Sequence, residues 1–400
     1  MKDLASLKNK KIFISTILPE KGGVPQLLRN ALALIKPYTS EITVGYYQPR
    51  SISPDLSVST WELFRKTIGH IESEKDGVKY VGIGSYLPEL ENFNYYPSKT
   101  WKEYINQADI CICISGSILQ ALPFHLLKKK CVTWCATPYK EDRIDRVSLS
   151  YGKLRRIFDA IFVMPFGLFL EKILLRSKYI KVLPLSEYTK KELSKVREIK
   201  SPTLGSPINM KEFTQVPKFK GKEIRIGFVG RLADPRKNIT ILLKAIEKVR
   251  EIVPNIKLVF CGEQLSDEDR KYVEEKGINQ ILEHHSFVTR EELITIYESI
   301  DLFVIPSLQE GLAIVGLEAM ATGSPIITTK CGGPEEYVIN GKNGYIVDFD
   351  HEELKDRIID IINFKNKDEL SNNSRKIVED NYSIESFSNK LSNALKFVLN

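Results

Sequence analysis

Short β-rich apolar runs alternate with longer segments of helical period along the whole of this 400-residue chain. In the first half, Lys11–Ile17, Glu41–Tyr47, Lys79–Ile83, Asp109–Ile114 and Cys131–Cys135 read as strands, with helical patterns such as Pro25–Ile35 and Tyr188–Val196 among them. The second half repeats the rhythm with strands at Ile224–Val229, Ile256–Cys261, Asp301–Ile305, Pro325–Thr328 and Gly344–Val347. Helical patterns at Ile239–Ile252, Arg290–Ser299, Leu312–Ala321 and His351–Phe364 separate them. Alternation of this kind argues for parallel sheets covered by helices on both faces. The stretch Ser206–Lys222, with Pro207, Pro217 and several lysines, reads as a connector. The expected layout is therefore a Rossmann-like domain over 1–205, a linker over 206–222 and a second such domain over 223–382. A C-terminal helix over 383–400 is expected to cross back to the first domain. Ligands of such sheets bind at the carboxyl ends of the strands, so a cleft between the two domains is the expected site.

Composition narrows the class. Apolar residues make up 42% and charged residues 27%, as in ordinary globular proteins. The longest apolar stretch, Ala160–Leu170, falls well short of the ~20 residues a membrane span needs, and Pro165 interrupts it. The N-terminus shows no apolar signal-peptide core. Cys111, Cys113, Cys131 and Cys135 lie in or beside apolar runs at spacings unlike those of zinc sites, which fits a reducing cytoplasm. Charge is uneven: residues 1–200 hold 32 Lys+Arg against 20 Asp+Glu, whereas 201–400 hold 26 against 31. A basic half suits an anionic membrane surface or an acidic small molecule. Nucleic acid is not expected, because zinc-finger, RNP and basic heptad patterns are all missing from the sequence.

Two motifs carry chemistry. Gly230-Arg231-Leu232-Ala233-Asp234-Pro235-Arg236-Lys237-Asn238 follows a strand and precedes a helix. Arg231 offers a bidentate fork and Lys237 a point charge at a helix N-terminus, an arrangement that suits a diphosphate. A solvated basic loop is the plainer reading of this motif alone. The second motif runs from Glu310-Gly311-Leu312-Ala313-Ile314-Val315 to Glu318 and ends in Gly323. It places a helix N-terminus with free N–H groups between two carboxylates. A core helix with one exposed glutamate is the plainer reading here, weakened because Glu318 stands among small apolar residues.

These motifs, with Phe287-Val288-Thr289-Arg290-Glu291-Glu292-Leu293, Tyr297, Asp301–Ser307 and Gly332-Gly333-Pro334-Glu335-Glu336, resemble the family 4 glycosyltransferases of the GT-B fold. The likeness is thinner in the first half, where Gly22-Gly23-Val24 is similar to the family's acceptor-side glycine loop. Leu185-Ser186-Glu187-Tyr188-Thr189 resembles its marker before the linker. The resemblance implies retaining transfer of a hexose from a nucleoside-diphosphate sugar, GDP-mannose or a UDP-hexose, to a glycan or lipid-linked acceptor, with no cofactor. Arg231, Lys237 and Glu310 would form the catalytic set. Gly230, Val288, Ala313, Ile314, Val315 and Glu318 would complete the donor site, with Glu310 on the sugar and Glu318 on the ribose. Gly22, Gly23, Trp134 and Thr137 would serve the acceptor. A sugar-nucleotide epimerase, a phosphorylase and a non-catalytic subunit of a glycosylation complex are the rival functions.

Three departures from the family pattern stand out. Gly311-Leu312-Ala313 replaces the family's x-Phe-Gly, Gly262-Glu263-Gln264 replaces Gly-Asp-Gly, and the loop after Cys135 carries no His. The triplets Asp267-Glu268-Asp269 and Asp348-Phe349-Asp350 read as helix caps, so no metal site is expected. His284-His285 is expected to lead into a strand near Phe287. Lys153–Lys181 mixes clustered cations with dense apolar residues. It reads either as packed helices or as an interfacial surface that would make this cytoplasmic protein peripheral at the membrane.

Overall fold

The computed structural model describes every residue except 1–3, 5, 6, 19–22, 40, 64, 89, 142, 144–151, 287 and 400. Two compact units emerge, one of residues 1–207 with 387–400 and one of residues 208–386.

The first unit is built on β1 (Lys11–Thr16), β2 (Glu41–Tyr47), β3 (His70–Lys75), β4 (Val78–Ile83), β5 (Ile110–Ser115), β6 (Cys131–Cys135) and β7 (Ile180–Pro184). These seven strands lie in the order β3-β4-β2-β1-β5-β6-β7. All neighbours are parallel except β3 and β4, which form an antiparallel hairpin across Asp76-Gly77. The sequence reading missed β3, because its residues are exposed throughout and carry no apolar alternation. β7 was missed because Lys181 and Pro184 interrupt its apolar run. Uninterrupted apolar strands are the legible ones, and every residue of β5 is buried.

The second unit contains β8 (Ile224–Val229), β9 (Ile256–Cys261), β10 (Leu282–His285), β11 (Leu302–Ile305), β12 (Ile326–Thr329) and β13 (Gly344–Val347). Their order is β10-β9-β8-β11-β12-β13, and every pair is parallel. His284 and His285 are therefore strand residues of β10 rather than its approach, and Phe287 lies outside the described residues. The helix Ile239–Ile252 buries Leu242, Leu243, Ile246 and Val249 against Ile226, Leu258 and Phe260, forming the core of this unit. Strand order reverses on either side of β8, whose neighbours are β9 and β11. Such a switch point opens a crevice at the strands' carboxyl ends.

Two boundaries differ from the sequence reading. The expected connector over 206–222 belongs to the second unit from Ile208 onward, where Ile208 N donates to Tyr382 O at 2.7 Å. Phe213 and Lys218 on this stretch are buried, so prolines and lysines here mark an irregular packed segment, not a free linker. The final helix, Ile384–Leu399, joins the first unit from Phe387, whose ring lies 5.0 Å from that of Trp134.

Candidate active site

The loops that follow β8 and β11 meet at the switch point, and the sequence explains how each is shaped. Gly230 leaves β8 with its N–H donating to Cys261 O at 2.9 Å. Gly262, at the end of β9, sits against it so closely that a Cβ there would lie 1.8 Å from Gly230 O. Gly262 is thus fixed by backbone contact, whatever Glu263 and Gln264 do. Asp234 then caps a short turn over Pro235–Lys237, accepting from Arg236 N at 3.1 Å. Its carboxylate also takes Arg231 (2.7 Å) and Arg236 (2.8 Å). Burial tends to raise the Asp234 pKa, but the Arg236 hydrogen bonds and both guanidinium charges outweigh it and hold the group below its usual value. Arg231 is thereby tethered while 56% of its side chain stays exposed, leaving guanidinium edge for an anion.

Lys237 reaches across to the other loop. Its Nζ lies 2.6 Å from Glu310 Oε1, with both side chains mostly buried. Ser307 Oγ donates to the same oxygen at 2.6 Å, and Leu308 N donates to Arg236 O at 2.7 Å. Glu310 is pinned in turn by a short bridge to the chain after β12, with Glu310 N donating to Cys331 O (2.7 Å) and Gly333 N to Glu310 O (2.9 Å). A Cβ on Gly333 would stand 2.3 Å from Gly311 O, so the close approach of these two loops demands glycine.

The helix after Glu310 runs Ile314–Ala321, two residues shorter than the expected Leu312–Ala321, because Ala313 is its N-cap at φ +52°, ψ +70°. Tyr337 Oη donates to Ala313 O at 3.0 Å and holds that turn. The first-turn N–H groups of Ile314 and Val315 stand at the helix N-terminus, where they lack intrahelical acceptors and favour an anion. One turn on, Glu318 is buried. Tyr297 Oη donates to its Oε2 at 2.9 Å and Arg290 to its Oε1 at 2.7 Å. Arg290 also pairs with Glu212 (3.1 Å) and stacks 5.1 Å from the Phe213 ring. Burial opposes the Arg290 charge, yet Glu318 and Glu212 raise its pKa above the usual value. Val288, half-buried, lies two residues before this arginine.

The structure thus gathers Gly230, Arg231, Lys237, Glu310, Ala313, Ile314, Val315 and Glu318 onto the loops and helix that follow β8 and β11. Ser307, Asp234 and Arg290 were not singled out as site residues. A signal existed for Asp234, in its spacing to Pro235 as a cap, but none for Ser307, whose part depends on the meeting of two loops. Asp269 and Asp350 occupy capping positions: Asp269 N donates to Ser266 Oγ at 3.1 Å, and Asp350 accepts from Glu352 N at 2.9 Å.

The first unit's candidates are more dispersed. Gly22 lies outside the described residues, and Gly23 opens the helix Gly23–Ile35 with nothing within 4 Å of where its Cβ would stand. Trp134 is 2% exposed on β6, its ring against Phe387, so it is core packing rather than a lining residue. Its Nε1 and Thr137 Oγ1 are buried with no hydrogen-bond partner among the described residues.

Residues 209–381 match the family described as Glycosyl transferases group 1. That match spans nearly the whole of the second unit. The D-inositol 3-phosphate glycosyltransferase of Corynebacterium urealyticum is 37% identical over 131 residues, 31% of each chain. Spore coat protein SA of Bacillus subtilis is 37% identical over 173 residues, 40% of this chain and 45% of that one. The chain thus spans less than half the length of these curated relatives. Among solved structures, Anabaena Alr3699/HepE in complex with UDP-glucose superposes with a TM-score of 0.70, at 15% identity, over 97% of this chain and 100% of that one. The fold is GT-B, with two parallel-sheet α/β units.

Proposed function

We propose that the protein transfers a hexosyl group, with retention, from a nucleoside-diphosphate sugar such as GDP-mannose or a UDP-hexose to a glycan or lipid-linked acceptor. The observation that carries this reading is the pairing of Lys237 with Glu310 at 2.6 Å, on loops that meet at the switch point beside β8. A cation, a carboxylate and a helix N-terminus lie together where a doubly wound sheet receives its ligand. Crystals of HepE with UDP, and with UDP-glucose, support a nucleotide sugar as the ligand class. In this reading Arg231 and Lys237 neutralise the charge of the departing diphosphate, a task that a divalent ion performs in other transferases. Glu310 accepts from sugar hydroxyls on one side of the helix start. Glu318, held by Arg290 and Tyr297, accepts from the ribose.

Titrating variants with nucleoside diphosphate and with intact donor tests the assignment. Glu310→Gln is expected to cripple transfer and leave the bare nucleotide bound nearly as tightly. Glu318→Ala is expected to weaken nucleotide and donor alike by roughly 1.5–3 kcal/mol, the range for a charged hydrogen bond. Lys237→Ala should lower turnover about a hundredfold or more, as loss of a preorganised charge does elsewhere, while EDTA leaves the wild type active. Release of nucleoside diphosphate that needs an acceptor separates transfer from epimerisation. Equal weakening of bare nucleotide by both glutamate variants would refute the assignment of ends, and activity lost in EDTA and restored by manganese would refute the metal-free scheme.

A further inference from the structure

Residues 153–175 form one long helical rod: α-helix over Lys153–Phe158, a π-helical turn over Asp159–Val163, and α-helix over Met164–Leu175. At 1.5 Å per residue such a rod is about 34 Å long. It is apolar on both faces. The inner face buries Asp159, Gly167 and Glu171 together with Val163, Leu170, Leu174 and Leu175, while Ile157, Ile161, Phe162, Phe166 and Phe169 face solvent, with Phe162 60% and Phe169 58% exposed. A surface helix of a globular protein ordinarily keeps its outer face polar.

Specific contacts fix this rotation. Arg143 makes a fully buried ion pair with Asp159, at 2.9 and 3.1 Å from its Nε. A Cβ on Gly167 would stand 2.1 Å from the Tyr139 ring, so that position must face inward as glycine. Glu171 Oε1 accepts from Tyr139 N at 2.9 Å. Asn92 Nδ2 donates at 2.7 Å to Val163 O, at the end of the π turn, and itself accepts from Tyr139 Oη at 3.0 Å. Polar anchors, each with a mate on the body of the unit, thus hold the aromatic side outward. An exposed aromatic face specified in this way calls for an occupant.

Charge names the occupant. Both acids between 153 and 178, Asp159 and Glu171, are buried. Lys153, Arg156, Lys172, Arg176 and Lys178 are all exposed, flanking the aromatic stretch at both ends. Lys172 and Arg176 lie three and seven residues past Phe169 and so continue its face. A second copy of the chain would bring like charges together on this face, which is costly. An anionic lipid surface meets both demands, taking the aromatic rings into the headgroup boundary and the cations onto its phosphates.

We propose that the outward face of residues 153–178 docks the first unit onto an anionic membrane surface, with the rod lying in the plane of the interface. This deepens the reading of a lipid-linked acceptor and rests on it for purpose. The assay below reads neither transfer nor nucleotide, so either reading can fail alone.

Co-sedimentation of the full chain with vesicles supplies the test. Binding is expected to vesicles of equal parts phosphatidylglycerol and phosphatidylcholine, not to phosphatidylcholine alone, and to fall as salt rises. Lys172→Gln is expected to weaken it about fivefold, the weight of one basic residue near such a surface. A triple variant, Phe162→Ser, Phe166→Ser and Phe169→Ser, should abolish it, while its melting temperature stays that of the wild type. Equal recovery with neutral and anionic vesicles overturns the proposal. So does wild-type self-association that the triple variant loses, without vesicle binding, since the face would then belong to a second copy.

Discussion

Two non-glycine residues beside the site, Asn238 and Ala313, hold left-handed backbone, at φ +50° and φ +52°. Asparagine tolerates that conformation, whereas alanine there is strained by its Cβ against the following carbonyl, at about 1–2 kcal/mol. The strain is sustained because Tyr337 Oη fastens Ala313 O and because the turn presents the helix N-terminus. Ala313→Gly relieves it at an entropic cost of about 0.4–1 kcal/mol in the unfolded chain. The expected outcome is a second unit more stable by about 0.5 kcal/mol in urea melts. Destabilisation instead would show that the methyl packs against a neighbour it needs. The methyl was legible in the sequence as a departure from the family pattern, and its φ was not, since backbone strain is imposed by the loops on either side.

At the scale of elements, Lys218 shows what irregular segments can do. It lies on the stretch expected to be a linker, yet its Nζ donates to the carbonyls of Tyr297 (3.2 Å) and Glu298 (3.0 Å) and to Thr322 Oγ1 (3.3 Å). These acceptors close the C-terminal ends of the helices Arg290–Ser299 and Ile314–Ala321, which carry Arg290, Tyr297 and Glu318. Burial lowers the Lys218 pKa from 10.5 to about 7, against the raising effect of Asp301 and Glu298. Between those values the unfolded chain holds a proton that the folded site has released, so unfolding takes up a proton and stability rises with pH. The wild type should therefore gain stability from pH 7 to about pH 9 relative to Lys218→Met, by at most about 1.4 kcal/mol per pH unit. Denaturant melts of both proteins over that range decide it, and parallel curves would show that Lys218 keeps its charge. A lysine among prolines gives no sign of burial in a sequence, because the acceptors that make burial tolerable lie about 80 and 104 residues away.

The whole molecule is two cores threaded by one chain that returns. Phe387, Leu391, Ala394 and Leu395 of the final helix are buried, and they group with residues 1–207 rather than with the unit they follow. Phe387→Ala leaves a cavity beside Trp134, and a buried phenylalanine cut to alanine costs about 3–5 kcal/mol. Calorimetry should then show separate effects: the variant lowers the transition of the first unit, and, on the proposed donor reading, whichever nucleoside diphosphate binds raises that of the second. At a hundred times its Kd that ligand is expected to contribute about 2.7 kcal/mol. A single transition moved equally by both would show that the units unfold as one. Among the described residues no helix is long and apolar enough to cross a membrane.

Sequence alone determined the parallel strands with buried faces, the glycine-marked turn after β8, and the order of Arg231, Lys237, Glu310 and Glu318. Each of those is local: a period, a cap or a breaker read over a few residues. Tertiary structure decided what those residues touch. Lys237 meets Glu310 across 73 residues, and Arg290 meets Glu318 across 28, because sheet order brings their loops side by side. It also decided which way the rod over 153–175 faces. Its composition is apolar nearly all round, so periodicity could not choose a side. The buried mates of Asp159, Gly167 and Glu171 made the choice.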